Sequence, residues 1–229
     1  MKLTNKILLA FLILMFLSFV AFRLVLHYNA ELVPAAYDKG VEQKTIGLSK
    51  FSSLEINGRY YVHVVKSGYD SLKISGPDNL VNKYTSIENN EKTLIISSKV
   101  DLTKYFQPAI EIWIYSTSAE SINVKNSAIV GMENFSGTQF GFAAEDSSII
   151  NCEASDFENC SFTLKDRSVI SLNKTKNAIV DLHDSATLFL TINKGNIDGI
   201  TSDKAELLLT GETMNNSVKK EKNRDGGMK

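Results

Sequence analysis

The chain reads Gly141-Phe-Ala-Ala-Glu-Asp-Ser-Ser-Ile-Ile150 and then, twenty residues on, Ser161-Phe-Thr-Leu-Lys-Asp-Arg-Ser-Val-Ile170. Five copies of this pattern occur in the second half of the chain, each around a central Asn or Asp. The central residues are 20, 20, 18 and 19 residues apart: Asn126, Asp146, Asp166, Asp184 and Asp203. A fixed period near twenty, built from alternating apolar and polar positions, predicts a β-solenoid, in which each coil buries its apolar face against neighbouring coils.

Each repeat predicts two short strands joined at a tight corner. Apolar residues fall four and two positions before the central residue and four and six after it, as in Phe162, Leu164, Ile150 and Cys152. The residue two positions after it is always small: Ala128, Ser148, Ser168, Ala186 and Ala205. A small side chain allows the chain to bend where a larger one would collide with the coil stacked above it.

The chain before the repeats also alternates, but without a fixed period. From Ile46 onward, short apolar runs are bounded by turn residues such as Asn57-Gly58 and Asn89-Asn90. We therefore predict an irregular N-terminal β region that leads into the regular solenoid. Asp78–Tyr84 is the one stretch with a helical pattern, and we expect a short helix there that caps an open end of the sheet.

The first 28 residues predict a membrane anchor or a signal segment. Lys2 and Lys6 precede an apolar stretch, Ile7–Phe22, which is at the lower limit for crossing a bilayer as one transmembrane helix. The basic flank predicts a cytoplasmic N-terminus and an extracytoplasmic remainder. No clear small-x-small cleavage site follows, so an uncleaved anchor is favoured over a cleaved signal peptide. The predicted organisation is an anchor or signal segment at 1–28, a linker at 29–45, the β-solenoid domain at 46–211 and a disordered tail at 212–229.

Composition excludes two classes of protein. With 43% hydrophobic residues and a net charge of −1, the chain is neither disordered as a whole nor a basic nucleic-acid-binding protein. Cys152 and Cys160 are the only cysteines. An oxidising compartment permits a disulfide between them, but both fall in apolar columns of the repeat, so we expect buried free thiols.

The pattern resembles a bacterial envelope family, the head-GIN-domain family of autotransporter adhesins. The resemblance covers about Ile46 to Gly211 and is carried by Phe51-Ser-Ser-Leu-Glu-Ile-Asn-Gly58, Tyr61-Val-His-Val-Val-Lys-Ser-Gly68 and Thr93-Leu-Ile-Ile-Ser97. It implies an all-β fold, a right-handed single-stranded β-helix behind a signal segment or membrane anchor, and a role in adhesion. The chain departs from the family at its corners, where relatives commonly have Gly-Ser-Gly and this chain has sequences such as Asp146-Ser-Ser.

The central residues predict a column of four carboxylates: Asp146, Asp166, Asp184 and Asp203. Neighbouring coils stack about 4.8 Å apart, so these charges repel unless something compensates them. We expect each carboxylate to accept a backbone N–H at its own turn and to face solvent. A bound metal ion such as Ca²⁺ is the alternative, although the glycine-rich repeat of calcium-binding β-rolls is missing.

Asp181, His183 and Asp184 form the densest group of titratable side chains. Paired carboxylates that converge in a groove suit polysaccharide cleavage. However, Asp181 and His183 alternate with Val180 and Leu182, as outward residues of any strand do. The sequence contains no recognisable nucleophilic triad, phosphate loop or zinc spacing, so we predict no catalytic residues and no cofactor.

An aromatic group precedes the repeats. In Ile110-Glu-Ile-Trp-Ile-Tyr115 the isoleucines share one face of a strand, so Glu111, Trp113 and Tyr115 share the other. An outward Trp and Tyr beside a carboxylate can stack on a sugar ring or seat a partner protein, and these three are the predicted ligand-binding residues. The alternative is that a loop or the Asp78–Tyr84 segment covers them.

Together these features predict a membrane-anchored, extracytoplasmic β-solenoid that acts as a non-catalytic adhesion or cell-envelope scaffold module. Its expected partners are the membrane, through the N-terminal helix, and a glycan or an envelope protein, with no nucleic acid. A polysaccharide-active enzyme on the same scaffold is the alternative. A sensor that signals through the anchor would need a partner helix, because few residues precede the apolar stretch.

Overall fold

The computed structural model describes residues 15, 18–20, 41–77, 81, 85–90, 92–99 and 110–221. The chain divides into two compact units, Met1–Val41 and Glu42–Lys229, and the fold described below is that of the second. Across the described ranges, no helix is long and apolar enough to span a membrane. The predicted anchor at 1–28 lies outside these ranges except for residues 15 and 18–20. The predicted helix at Asp78–Tyr84 also lies outside them, except for Val81.

Strands make up most of the described residues. Their bounds are β1 Val41–Gly47, β2 Ser53–Asn57, β3 Tyr61–Lys66, β4 Ser71–Pro77, β5 Thr85–Asn90, β6 Thr93–Ser98, β7 Glu111–Ser116, β8 Ser121–Lys125, β9 Ile129–Glu133, β10 Ser136–Ala144, β11 Ile149–Glu153, β12 Asp156–Leu164, β13 Val169–Leu182, β14 Thr187–Ser202 and β15 Glu206–Glu221. Because β1 begins at Val41, the end of the predicted linker, residues 41–45, is strand; it lies at an edge beside β4.

The strands form two parallel stacks, which confirms the predicted all-β solenoid. In one stack β8, β10, β12 and the second half of β13 pair in register, and in the other β9, β11 and the first half of β13 do so. β14 and β15 each continue through both stacks. A coil therefore consists of one strand from each stack, with the corner residues between them.

In the first part of the chain, the order in space differs from the order in sequence. β2 pairs in parallel with β6 and β8, and β3 pairs in parallel with β7 and β9. The β2–β3 coil therefore lies between the β6–β7 coil and the β8–β9 coil. β4 and β5 pair antiparallel with β7 and β6 at this end. The region predicted to be irregular thus contains two regular coils out of chain order and two antiparallel strands, which is why its sequence shows no fixed period.

The core consists of apolar columns that run through successive coils. Register partners such as Ile122, Phe142, Phe162 and Val180 stack on one another, and each is at most 2% exposed. The Phe142 and Phe162 rings are stacked with centroids 5.2 Å apart. Each buried apolar Å² stabilises the fold by about 25 cal/mol, so these columns are what hold one coil to the next.

The corners lie where the repeat predicted them. The central residue of every repeat lies in the left-handed region, with φ between 55° and 60°: Asn126, Asp146, Asp166, Asp184 and Asp203. Asn and Asp adopt this region more readily than other non-glycine residues, which explains why they occupy the corners. The small residues two positions later are buried, as predicted, with at most 6% exposure: Ala128, Ser148, Ser168, Ala186 and Ala205.

The second half of the last described strand is polar. β15 pairs with β14 and runs to Glu221, so the prediction of a disordered tail is wrong over residues 212–221. Backbone pairing holds this exposed, polar segment even though it buries little apolar surface. In the core columns, Asn216 follows Ile197 and Lys220 follows Thr201. Solenoids need such polar terminal repeats, because a further apolar edge would attract another chain.

The two cysteines are buried free thiols, as predicted. Burial raises the pKa of the Cys160 thiol to about 11, and it raises the pKa of the Cys152 thiol further still. The neutral form of each thiol therefore packs in the core as a small apolar group.

Candidate functional site

β7 presents the predicted ligand-binding residues on its outer side. Ile112 and Ile114 point into the core and are 0% exposed. Glu111 is exposed, while Trp113 and Tyr115 are half-buried. The two-residue alternation of a strand forces this arrangement once the isoleucines are buried.

Two residues from other parts of the chain complete this surface. The His63 ring stacks on the Trp113 ring with centroids 4.1 Å apart and 13° between the planes. His63 Nε2 also lies 3.2 Å from Glu111 Oε1, within hydrogen-bonding distance. Tyr69 stacks on Tyr115 with centroids 5.8 Å apart. We call His63, Tyr69, Glu111, Trp113 and Tyr115 the aromatic platform.

His63 and Tyr69 were not predicted to belong to this surface. The signal for His63 was present, because β3 alternates as strictly as β7 and places Tyr61, His63 and Val65 outward. The signal that was absent is the pairing of β3 with β7, which sets His63 opposite Trp113. That pairing depends on a coil order that differs from the chain order, and a periodicity argument does not reveal it.

A cavity of about 220 Å³ adjoins the aromatic platform on the same outer face. It lies over β3, β9 and β11, and its lining includes Tyr61, His63, Gly131, Glu133 and Asn151. Gly131 is the register partner of both His63 and Asn151. The cavity therefore continues the row of side chains that starts at Trp113.

The corner aspartates form a hydrogen-bonded ladder. Asp166 Oδ2 accepts the backbone N–H of Asp146 at 3.3 Å, and Asp184 Oδ2 accepts that of Asp166 at 3.4 Å. Asp203 Oδ2 accepts the Ser202 hydroxyl at 3.1 Å. The carboxylates do accept backbone N–H groups, but the prediction that each bonds within its own turn is wrong, because the acceptor reaches back to the preceding coil.

Among the described residues the corner aspartates are not grouped as metal ligands. A shallow groove of about 410 Å³ follows the corners and is lined by polar residues that include Asp146, Asp166 and Asp184. Within the part of the chain that the structure describes, no three His, Cys, Asp or Glu side chains are close enough to hold a metal ion. Asp146, Asp166, Asp184 and Asp203 are therefore not brought together as a ligand set.

The predicted titratable cluster is only partly brought together. His183 Nε2 lies 2.8 Å from Asp181 Oδ1 without the alignment of a hydrogen bond, and His183 Nδ1 lies 2.8 Å from the Ser202 hydroxyl. Asp184 belongs instead to the corner ladder. Ser202 is 6% exposed, and its hydroxyl donates to Asp203 Oδ2, so it is tied into the corner.

Four asparagines form a second hydrogen-bonded ladder, which was not predicted from the sequence. The Asn177 amide donates to Asn159 Oδ1 at 3.0 Å, Asn196 to Asn177 at 3.3 Å, and Asn215 to Asn196 at 3.0 Å. Asn159, Asn177 and Asn196 each stand seven residues before a central aspartate, so the repeat pattern could have predicted that they stack. This ladder joins four coils at one edge and is structural.

The fold and its outer faces define a β-solenoid domain with an exposed aromatic platform and no assembled catalytic group among the described residues. The chain belongs to the family described as "Putative auto-transporter adhesin, head GIN domain", whose model matches residues 50–220. The resemblance seen in the sequence is thereby confirmed. A search of the curated proteins found no match.

Solved structures are similar to the chain in fold. A putative adhesin from Bacteroides fragilis has a TM-score of 0.65 at 14% identity, over 80% of this chain and 94% of that chain. A putative adhesin from Parabacteroides merdae has a TM-score of 0.49 at 11% identity, over 79% of this chain and 96% of that chain. A putative lipid binding protein from Parabacteroides distasonis has a TM-score of 0.49 at 14% identity, over 80% and 97%.

Proposed function

We propose that this protein is an extracytoplasmic adhesion or cell-envelope scaffold module that binds its ligand without covalent chemistry. Its membership of an adhesin family supports a binding role outside the cytoplasm. In this proposal the apolar segment Ile7–Phe22 anchors the protein in the membrane, and the solenoid projects from the outer side.

The aromatic platform is the observation that carries the proposal. β7 is paired on both sides, with β4 and β3, so the backbone that bears Trp113 is fixed. His63 holds the Trp113 ring from one side, and Glu111 holds His63. A ring held in place before binding loses little conformational entropy when a ligand stacks on it, and such rings are frequent centres of binding energy.

The ligand classes that suit this surface are a glycan and an envelope protein. An aromatic face attracts the C–H side of a sugar ring or an apolar side chain, and the Tyr69 and Tyr115 rings widen the platform. Glu111 adds an acceptor for a hydroxyl or amide at the rim. None of these contacts requires bond formation or a cofactor.

Binding of the full chain in detergent micelles to a glycan array and to separated envelope proteins tests the proposal. We expect Trp113→Ala to abolish binding while the circular dichroism spectrum is retained. Phe189→Ala is the matched control, because Phe189 is an outward aromatic residue on the same face, 45% exposed and far from the platform. A folded Trp113→Ala chain that binds like the native chain would exclude the platform as the binding site.

The alternative of a polysaccharide-active enzyme is tested with the same preparation. We expect no release of reducing sugar from the polysaccharides whose fragments the array shows to bind. Release that Asp184→Asn abolishes would establish the enzyme and overturn the proposal.

A further inference from the structure

Gly131 opens a gap in the outer face beside the aromatic platform. The outward row runs from Trp113 through His63 and Gly131 to Asn151, each residue being the register partner of the next. A Cβ atom at Gly131 would have only His63 Nδ1 within reach, at 3.9 Å. The glycine is thus not required by close packing or by a left-handed φ, and its effect is to leave room between His63 and Asn151.

The walls of this gap differ in chemistry. Tyr61 and Ile129 form one side and present apolar surface, and Tyr61 is 41% exposed. Glu133 and Glu153 form the opposite side and present carboxylate oxygens. A pyranose ring has the same division, with C–H groups on its faces and hydroxyl donors around its edge.

The charge of the gap selects among sugars. Glu133 and Glu153 are direct register partners on β9 and β11, where like charges repel. In the part of the chain described by the structure, no Lys, Arg or His nitrogen lies within ion-pair distance of either carboxylate. Hydroxyl or ammonium donors relieve this repulsion, whereas a uronic acid or a sulfated sugar increases it.

We propose that this gap is a subsite for a neutral or amine-bearing pyranose of an oligosaccharide that crosses the strands from Trp113 to Asn151. The inference rests on the proposed function and names the ligand class of the same surface. One sugar lies across the outer edges of the stacked Trp113 and His63 rings, and the next enters the space over Gly131. The hydroxyl or amino groups at the edge of this second sugar donate hydrogen bonds to Glu133 and Glu153. Neighbouring strands lie about 4.8 Å apart, so the row from β7 to β11 is long enough to contact several sugars of one oligosaccharide.

Trp113 is the only tryptophan of the chain and stacks on His63, which lines the gap, so its fluorescence reports on an oligosaccharide bound along this row. The full chain in detergent micelles is titrated separately with three tetrasaccharides. These are the β-1,4-linked tetramers of glucose and of glucosamine and the α-1,4-linked tetramer of galacturonic acid. We expect the glucose and glucosamine tetramers to change the Trp113 emission saturably. We expect the galacturonic acid tetramer to bind at least tenfold more weakly.

Gly131→Thr fills the gap; its Cβ lies 3.9 Å from His63 Nδ1, an ordinary contact, so we expect the Trp113 emission of the unliganded variant to match that of the native chain. We expect this variant to bind the glucose and glucosamine tetramers at least tenfold more weakly than the native chain does. Gly141→Thr is the matched control on the opposite stack, and it leaves binding unchanged. Equal binding by Gly131→Thr, stronger binding of the galacturonic acid tetramer, or no emission change with any tetramer overturns the inference. The proposed function is tested separately: it is contradicted if the Trp113→Ala chain still binds the glycan array or the envelope proteins as the native chain does.

Discussion

His63 and Trp113 stack with 13° between their ring planes, although β4, β5 and β6 lie between them in the chain. Their contact exists because β3 and β7 are direct neighbours in space. It joins the first coil in the sequence to the outermost coil in the solenoid, so it contributes both to the candidate site and to the closure of this end of the fold.

His63→Ala is expected to lower the free energy of unfolding by about 1 kcal/mol, because an aromatic pair contributes about that much beyond its buried area. Trp113 becomes more exposed, so its emission moves to longer wavelength. Urea unfolding followed by fluorescence measures both effects. Tyr61→Ala on the same strand is the control, because Tyr61 is outward but its ring does not stack on Trp113. An unchanged emission maximum in His63→Ala would show that the stack does not set the environment of Trp113.

Asp166→Ala is expected to destabilise the fold by about 2 kcal/mol. Alanine loses the acceptor of the Asp146 N–H and adopts a φ of 58° less readily than aspartate does. Asp166→Asn retains both properties and is expected to be close to neutral. Arg167→Ala at the same corner, where φ is not positive, serves as the control. Equal urea midpoints for Asp166→Ala and Arg167→Ala would contradict this account of the corner.

The sequence predicted the regular coils, their corners and the outward face of β7, because each follows from a local pattern. Alternation determines which side of β7 is buried, and the left-handed corner selects Asn or Asp near position 166. The coil order before Ser121 and the stacking of His63 on Trp113 could not be predicted. They depend on which strands pair over a long sequence separation, and apolar alternation is the same for every such pairing. The strand at 212–221 was missed for another reason, since its pairing with β14 does not require apolar residues.

Asn177→Ala is expected to cost more stability than Asn215→Ala. Asn177 donates to Asn159 and accepts from both the backbone N–H and the side-chain amide of Asn196, whereas the Asn215 side chain makes one bond at the end of the ladder. Each lost bond contributes about 1 kcal/mol, so the difference should be about 1–2 kcal/mol. Urea denaturation of the two variants measures it. Equal losses would indicate that the ladder is not cooperative and that its bonds are replaced by water.

Cys152 and Cys160 are expected to resist iodoacetamide at pH 8 in the folded chain. Burial raises both thiol pKa values, that of Cys160 to about 11, so little thiolate forms at this pH. The unfolded chain, with ordinary thiols, should react fully in urea. Because the folded pKa is the higher one, the thiols favour the folded state below an ordinary thiol pKa of about 8.5, and this contribution is lost as the pH rises toward 11. Mass spectrometry of the labelled chain gives the result, and rapid labelling without urea would contradict it.

Apolar side chains placed at the polar core-column positions of the last coil are expected to make two solenoids associate end to end. Asn216 and Lys220 occupy the columns of Ile197 and Leu182, so Asn216→Ile with Lys220→Leu extends the core to an edge whose backbone groups lack a strand partner among the described residues. An apolar edge strand is a template for a second copy.

The matched control places the same two apolar residues on the outer side of β15, as Ser217→Ile with Lys219→Leu. Light scattering during size-exclusion chromatography, in one detergent at several concentrations, compares both variants with the native chain. Only the inward pair should increase the mass, because burial of the new side chains requires a coil stacked on the end, whereas the outward pair offers no continuation of the core. If both pairs increased the mass equally, surface hydrophobicity alone would explain association, and Asn216 and Lys220 would not act as the cap of the solenoid.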